Sequence, residues 1–157
     1  MKNFRIISDG KVYWISRHLA VAVFIYTIKN GKTYILANQR GPGTPDFQGH
    51  WNCPCGYLDF DETLNEAAAR ELKEETGYII KPSRLEMFYI NSDPDDSNKQ
   101  NVTVRFKALV ASQQHKNLTM KYSEKNEVQC IKWIDINELN SYKWAFNHDK
   151  IIKEWIK

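Results

Sequence analysis

The sequence predicts an α/β fold in which a mixed β-sheet is layered with helices. Strand-like segments lie on both sides of one central helical segment, and a second helical pattern closes the 157-residue chain. Because such an order places helices against the faces of a sheet, it indicates an α+β or α/β/α layered domain. At this length a single domain with one well-buried core is expected over residues 1–157.

The first third of the chain predicts a β-hairpin. Residues 19–28, LAVAVFIYTI, form a continuous apolar, β-branched and aromatic run that is typical of a buried strand. Turn-forming residues at 29–32 separate this run from a second strand at 33–37. The following segment from residue 40 to 56 is rich in Gly and Pro and indicates a loop. Residues 1–16 precede the hairpin as an N-terminal strand or extension.

A helix is expected at about residues 64–76. Thr63 and Glu66 have the spacing of a capping box, and the stretch AAARELKEE that follows is rich in strong helix formers. Gly77 is placed to end the helix. Strands are then expected at 85–90, 102–111 and 128–134. A helical pattern begins at about residue 136 and predicts a C-terminal helix within 140–157, in which Trp144 and Trp155 are core or homodimer contacts.

Composition narrows the class of protein. Hydrophobic residues make up 42% and charged residues 26%, as in ordinary globular domains. The net charge of +3 is too small to indicate nucleic-acid binding by itself. The chain has no long apolar run and no apolar signal core at its start, so no membrane contact and a cytoplasmic location are expected. Its three cysteines are an odd number and do not indicate a disulfide framework.

The predicted helix concentrates negative charge on one side. At 100° per residue, Glu71, Glu74 and Glu75 lie within a sector of about 100°. Like charges at this spacing repel each other unless a cation lies among them. A solvated acidic face, partly offset by Arg70 and Lys73, is the simplest interpretation.

Three features favour a metal site over a solvated face. Leu64, Ala67 and Ala68 continue the acidic sector toward the helix N-terminus, so this face is expected to pack on the sheet and carry its carboxylates to the edge of the core. The preceding loop, rich in Gly and Pro, allows a close approach to a ligand. Clustered carboxylates are also the ligands that Mg²⁺ and Mn²⁺ prefer.

The spacing of these residues resembles the Nudix box. That motif reads Gly, five residues, Glu, seven residues, Arg-Glu-apolar-any-Glu-Glu-any-Gly-apolar. This chain matches it at seven spaced positions, and only the last position departs, with Tyr78 in place of an aliphatic residue. The matching positions are Gly56, Glu62, Arg70, Glu71, Glu74, Glu75 and Gly77.

The resemblance to Nudix hydrolases implies an α/β/α sandwich around a mixed sheet. It also implies hydrolysis of a nucleoside diphosphate linked to another moiety, such as a nucleotide, a nucleotide sugar or ADP-ribose, with Mg²⁺ or Mn²⁺ as cofactor. By position, the metal ligands would be Glu71, Glu74 and Glu75, joined by the Gly56 carbonyl. Arg70 would orient Glu74 or Glu75 through a salt bridge.

The same resemblance leaves the general base and the substrate contacts open. Glu74, Glu75, Glu124 and Glu127 are candidates for the base, and Glu127 is favoured because it precedes the strand that includes Trp133. The substrate-binding candidates are Arg40 as a phosphate contact, Trp51, Phe47 or Tyr57 as a stacking surface for a base, and Glu62 at the helix entrance, which supports the metal site or substrate. Pro94, 16 positions past the box, is a hint of the ADP-ribose-cleaving group, although its turn-like surroundings would use proline anyway.

Three alternatives remain beside the leading hypothesis. A Nudix module that binds nucleotides without catalysis would be expected to have lost box carboxylates, and all are present. An RNA 5′-end pyrophosphohydrolase would use the lysine-rich segment 116–125, although such lysines are usually solvated. A zinc site at Cys53 and Cys55 is disfavoured, because Cys-x-Cys is not the usual ligand spacing and no second pair is near in sequence.

Overall fold

The computed structural model describes residues 3–94, 100–111, 118–124 and 126–156. It confirms a mixed α/β architecture with a central sheet. The strands are β1 (Phe4–Ser8), β2 (Lys11–Ile15), β3 (Leu19–Lys29), β4 (Lys32–Arg40), β5 (Trp51–Asn52), β6 (Cys55–Tyr57), β7 (Glu86–Asn91), β8 (Val102–Leu109) and β9 (Val128–Asp135). The α-helices are α1 (Leu64–Thr76) and α2 (His148–Trp155), and 3₁₀ turns lie at Pro82–Arg84 and Ile136–Ser141.

Within the described ranges, β3 to β9 form one sheet, and β1 and β2 form a separate antiparallel hairpin. In the large sheet β3 and β8 run parallel, and β3 pairs with β4 antiparallel. Strand β9 lies along the outer edge of β4, and β7 lies along the outer edge of β8. The sheet is therefore mixed, as the sequence predicts.

Strands β3 and β4 pair at one end and separate at the other. They are paired only from the Lys29–Lys32 turn to Tyr26 and Ile35. Farther on, β6 pairs with β3 and β5 pairs with β4. The predicted loop 40–56 thus contains two short strands, which is a correction. The reason is that the separating strands leave backbone N–H and C=O groups that need partners.

Two hydrophobic layers on opposite faces of the sheet confirm the α/β/α sandwich. Alternate residues of β3 point to opposite sides, so Val21 and Val23 pack with Leu72 of α1 while Ala22 and Phe24 pack in the layer of α2. Because β3 is buried on both faces, its sequence is a continuous apolar run.

Helix α1 has the predicted bounds and caps. The Thr63 side chain accepts a hydrogen bond from the Glu66 N–H, and the Glu66 carboxylate accepts one from the Thr63 N–H at 2.8 Å. Gly77 adopts the left-handed conformation with φ of 72°, and its N–H donates to the Lys73 carbonyl. Both ends of the helix are therefore specified by local sequence.

The C-terminal helix is shorter than the helical pattern predicts. Residues 136–141 form a 3₁₀ turn, and α2 begins only at His148. Between them, the Trp51 N–H donates to the Lys143 carbonyl and the Ala145 N–H donates to the Trp51 carbonyl, both at 2.8 Å. This pairing with β5 keeps residues 142–147 out of a helix. Among the described residues, no helix has the length and apolar character needed to cross a membrane.

His148 fixes the start of α2 against the sheet. Its Nδ1 accepts a hydrogen bond from the Cys53 N–H at 3.0 Å, and its ring meets the Phe24 ring edge-on at 5.3 Å. The ring is buried, and this desolvation lowers the pKa of His148 to about 3, with smaller contributions from Arg105 and Arg40.

We expect His148 to make the protein sensitive to acid. An unfolded histidine titrates near pH 6.5, so the unfolded chain binds a proton that the folded chain excludes. The contribution to stability is complete above about pH 6.5 and is lost as pH falls toward 3. Between pH 6.5 and 4.5, the free energy of unfolding should fall by about 1.4 kcal/mol per pH unit more in the wild type than in His148→Gln.

Urea denaturation at several pH values measures this difference. His50→Gln is the matched control, because His50 lies partly exposed in the 41–50 segment, and this variant should follow the wild type. Parallel curves for the wild type and His148→Gln would contradict the assignment.

Candidate active site

An acidic cleft opens where β6 meets the side of α1. The edge of α1 contributes carboxylates and one arginine, β6 contributes backbone, and the segment before β9 contributes two more carboxylates. The lining residues are Cys55, Gly56, Tyr57, Asp59, Arg70, Glu71, Glu74, Glu124 and Glu127. The structure thus brings most of the sequence-predicted site residues into one place.

Arg70 is the cation among these carboxylates. Its Nη1 donates to Glu71 at 2.7 Å and to Glu74 at 3.1 Å. Its Nε and Nη2 donate to the two oxygens of Glu62, at 3.0 and 2.6 Å. The Nη2 group also donates to the Tyr57 carbonyl at 2.9 Å. Of the two pairings predicted for Arg70, the structure shows the one with Glu74.

Glu62 holds Arg70 in place from the other side. Both of its oxygens accept from the guanidinium, and one also accepts from the Asp59 N–H at 2.8 Å. The hydrogen bonds from Arg70 lower the pKa of Glu62. Both Glu62 oxygens are directed at Arg70, so Glu62 acts on the acidic cleft by holding the guanidinium in position. Direct contact between Glu62 and a substrate stays a prediction.

Glu71 packs against Gly56. A Cβ atom at position 56 would overlap the Glu71 carboxylate, so only glycine leaves room for it. Glu71 is largely buried, and this desolvation raises its pKa to about 7 even though Arg70 acts in the opposite direction. The strand β6 and the helix α1 therefore meet at a carboxylate that is poorly solvated.

Glu75 lies beneath the cleft and is only 3% exposed. The Cys55 N–H and the Asn38 side chain interact with its carboxyl group. Its Oε2 atom is buried and has no hydrogen-bond partner among the described residues. Burial first, and then the neighbouring Glu71 and Glu127, raise the pKa of Glu75 well above its ordinary value.

Glu127 reaches the cleft from a distant part of the chain. The Gly41 N–H donates to the Glu127 carbonyl at 2.7 Å, which holds this segment next to the start of the 41–50 segment. Its side chain is about half-buried, and burial and Glu124 raise its pKa. Glu124 lines the same cleft, so both distal candidates for the base are brought to the box carboxylates.

The residues of the cleft fit a divalent cation. The buried Oε2 of Glu75 is an oxygen without a donor, and such an atom is expected to bind a proton or a metal ion. Among the described residues no three Asp, Glu, His or Cys side chains already converge as a metal-binding group. Glu71 and Glu74 are each paired with Arg70.

Arg40 and Trp51 serve the fold in this structure. Arg40 is 9% exposed, its Nη2 lies 2.6 Å from the Asp46 carboxylate, and its guanidinium covers the Phe146 ring at 4.9 Å. Trp51 is equally buried and meets the Tyr142 ring edge-on. Neither side chain offers an open surface, so their predicted substrate contacts stay predictions. Phe47 and Tyr57 are the more exposed aromatic candidates.

Sequence reasoning missed Asn38. This residue is buried in β4 at 2% exposure and interacts with Glu75 through its side chain. The second strand is predicted to end at residue 37, whereas β4 continues through Asn38 and Gln39 to Arg40, so Asn38 lay outside the predicted strand. Cys53 and Cys55 are free thiols, and burial raises the pKa of both.

Comparisons with known proteins agree with this geometry. The family model described as NUDIX domain matches residues 16–155. An ADP-ribose pyrophosphatase of Methanocaldococcus jannaschii is 31% identical over 149 residues, covering 95% of this chain and 80% of that protein. Phosphatase NudJ of Escherichia coli K12 is 33% identical over 122 residues, covering 78% of this chain and 71% of that protein.

The fold also matches solved structures. The NUDIX domain of Shewanella oneidensis NrtR, in a cocrystal with ADP ribose, superposes with a TM-score of 0.74. The two sequences are 24% identical, and the match covers 89% of this chain and 86% of that chain. At this identity the likeness is evidence for the fold alone.

Replacing Glu75 should separate metal binding from folding. We expect metal-free Glu75→Gln to melt at or above the wild-type temperature, because the amide removes a buried acid without changing its shape. We expect the wild type to gain about 5–10 °C at a Mg²⁺ or Mn²⁺ concentration of one hundred times the dissociation constant, and the variant to gain much less.

Differential scanning calorimetry with and without each metal measures both effects. Glu86→Gln is the matched control, because Glu86 is an exposed residue of β7 far from the cleft in the sheet order. A full metal-induced rise in the melting temperature of Glu75→Gln would exclude Glu75 as a metal ligand.

Proposed function

Since this chain belongs to the Nudix hydrolase family, we propose that it hydrolyses the diphosphate linkage of a nucleoside diphosphate bonded to another moiety, with Mg²⁺ or Mn²⁺ as cofactor. The observation that carries the proposal is the buried, unpartnered Oε2 of Glu75, which lies beneath the cleft and interacts electrostatically with the cleft residues Glu71 and Glu127. A carboxylate held there without a cation is unfavourable, and a divalent ion together with a diphosphate supplies complementary charges.

ADP-ribose is the first substrate to consider. The supporting relative is the archaeal ADP-ribose pyrophosphatase, because its similarity extends over nearly the whole of this chain. Pro94, the proline that hints at the ADP-ribose-cleaving group, lies in the connection between β7 and β8. Residues 95–99 of that connection lie outside the described residues.

We propose different tasks for the carboxylates in and beneath the cleft. Glu71, Glu74, Glu75 and the Gly56 carbonyl would hold the metal, since Glu71 and Gly56 are already in contact and Glu75 has a free oxygen. When bound, a divalent cation neutralises the diphosphate and lowers the pKa of a coordinated water. Arg70 keeps Glu71 and Glu74 on the same side of the helix, and its link to Glu62 fixes its own position.

Glu127 would accept the proton of the attacking water. Burial raises the pKa of Glu127, and a carboxylate with a raised pKa is a stronger proton acceptor than a solvated one. Attack of the water oxygen on one phosphorus breaks the bridging P–O bond and releases two phosphate monoesters. The bridging oxygen leaves with the second phosphoryl group, and the transferred proton rests on the Glu127 carboxylate until release.

Neither alternative function gains support from a described contact. The lysine-rich segment invoked for RNA includes residues 116, 117 and 125, which lie outside the described residues. A module without catalysis would be expected to lack these carboxylates, and all three are present: Glu71 and Glu74 pair with Arg70, and Glu75 interacts with Glu71.

A substrate panel tests the activity. With Mg²⁺, we expect ADP-ribose to be hydrolysed to AMP and ribose 5-phosphate, with a higher kcat/KM than nucleoside triphosphates, sugar nucleotides or dinucleoside polyphosphates. Chromatography of the products measures each rate. Tight nucleotide binding without hydrolysis of any compound would favour the non-catalytic module, and turnover restricted to 5′-triphosphorylated or capped RNA would favour the RNA enzyme.

Glu127→Gln tests the general base. We expect kcat to fall by about 10²- to 10⁴-fold with KM little changed, because proton acceptance is lost while the metal and diphosphate contacts remain. Steady-state kinetics on the best substrate measures this loss. Glu124→Gln is the matched comparison from the same segment and should lose less than tenfold. If the large loss occurs in Glu124→Gln and not in Glu127→Gln, the base is Glu124.

A further inference from the structure

Arg17 fastens the two ends of the β7–β8 connection. Its Nη1 donates to the Ser92 carbonyl at 2.8 Å, just after β7. Its Nη2 donates to the Asn101 carbonyl at 3.2 Å, and its Nε donates to the Gln100 carbonyl, both just before β8. Within the described ranges its hydrogen-bond partners are backbone carbonyls and not carboxylates. Only the fork of a guanidinium can reach acceptors on both sides at once.

The end of this connection next to β8 contacts a residue of the acidic cleft. The Asn101 side-chain amide donates to the Tyr57 hydroxyl at 3.4 Å. Tyr57 lines the cleft beside Gly56, and the residue is 42% exposed. The centroid of the His18 ring lies 5.4 Å from that of the Tyr57 ring. Arg17 and His18 are adjacent in sequence, so one short segment positions both the connection and the aromatic ring.

We call the surface formed by Tyr57, His18 and Asn101 the wall, and its chemistry suits a neutral aromatic group. Next to the carboxylates that face the diphosphate, Tyr57 presents a flat ring, and His18 and Asn101 add an imidazole and an amide. The two guanidinium groups next to it already have partners: Arg17 donates to backbone carbonyls, and Arg70 donates to carboxylates and to the Tyr57 carbonyl. The wall is therefore poorly suited to another phosphate. A half-exposed aromatic ring flanked by polar groups is a typical stacking surface for a nucleobase.

We propose that the wall formed by Tyr57, His18 and Asn101 binds the nucleobase of the substrate, and that Arg17 is the positioning residue that holds this wall. The proposal rests on the proposed function, since it places the base beside the cleft that takes the diphosphate. Arg70 donates to the backbone carbonyl of Tyr57, whereas the Tyr57 side chain contacts the wall residues His18 and Asn101.

Binding of the two halves of ADP-ribose tests the wall independently of turnover. Calorimetry with AMP, which carries the base, and with ribose 5-phosphate, which does not, is performed on the wild type, Tyr57→Leu and Tyr57→Phe with Mg²⁺. We expect Tyr57→Leu to weaken AMP binding about tenfold or more and to leave ribose 5-phosphate binding within twofold. Tyr57→Phe retains the ring and should show a smaller loss. Phe60→Leu is the control, because Phe60 is almost fully exposed and outside the cleft.

The outcomes separate this proposal from the proposed function. Equal AMP affinity in the wild type and Tyr57→Leu, or no AMP binding by the wild type, would overturn the proposal that the wall binds the nucleobase, even if hydrolysis is observed. Suppose that no compound of the substrate panel is hydrolysed and that Tyr57→Leu selectively loses AMP binding. That result would refute the proposed hydrolysis and support nucleobase binding by the wall.

Arg17→Lys tests the positioning role. Lysine keeps the charge but cannot bridge three carbonyls, so KM for base-containing substrates should rise about fivefold while kcat stays within about twofold. Arg84→Lys, at an exposed residue of a 3₁₀ turn, is the matched control. A merely structural role would instead weaken AMP and ribose 5-phosphate binding equally and lower kcat for every substrate, and that result would overturn the assignment.

Discussion

The guanidinium of Arg70 determines how a cluster of carboxylates can exist at the edge of the core. It binds Glu62 with two donors and reaches Glu71 and Glu74 with a third group. It also binds the Tyr57 carbonyl, so the same group that offsets the charge ties α1 to β6. One side chain, Arg70, therefore both compensates the negative charge of the carboxylates and joins β6 to α1.

The divergence of β3 and β4 makes that junction possible. Because the two strands pair only near their turn, β5 and β6 fill the gap between them, and the Val23 N–H donates to the Pro54 carbonyl at 2.8 Å. Gly56 is thereby brought against α1, where the absence of a side chain leaves room for Glu71. A regular hairpin would have closed this space, so the irregularity of the sheet is what creates the cleft.

The parts of the structure that depend on local sequence could be predicted, and the parts that depend on distant pairing could not. The capping box at Thr63 and the buried pattern of β3 specify their elements within a few residues. The predicted C-terminal helix was too long because Trp51, far along the chain, pairs with the backbone around Trp144. In the same way, helical periodicity alone predicts that Glu71 and Glu75 lie close together. The expectation that Glu127 lies near them came only from the family resemblance. Asn38 was overlooked because its partner lies on another element.

Tyr57 belongs to the carboxylate network through its backbone and to the proposed base-binding wall through its side chain. Its backbone carbonyl belongs to the carboxylate network through Arg70, and its hydroxyl belongs to the wall through Asn101. Every residue type supplies the carbonyl, but only the side chain decides what stacks there. The wall can therefore change with little effect on the positions of Glu71 and Glu74. On the proposed function, the carboxylates would determine which bond is broken, and the side chains that border them, held by distant anchors such as Arg17, would determine which molecule is bound there.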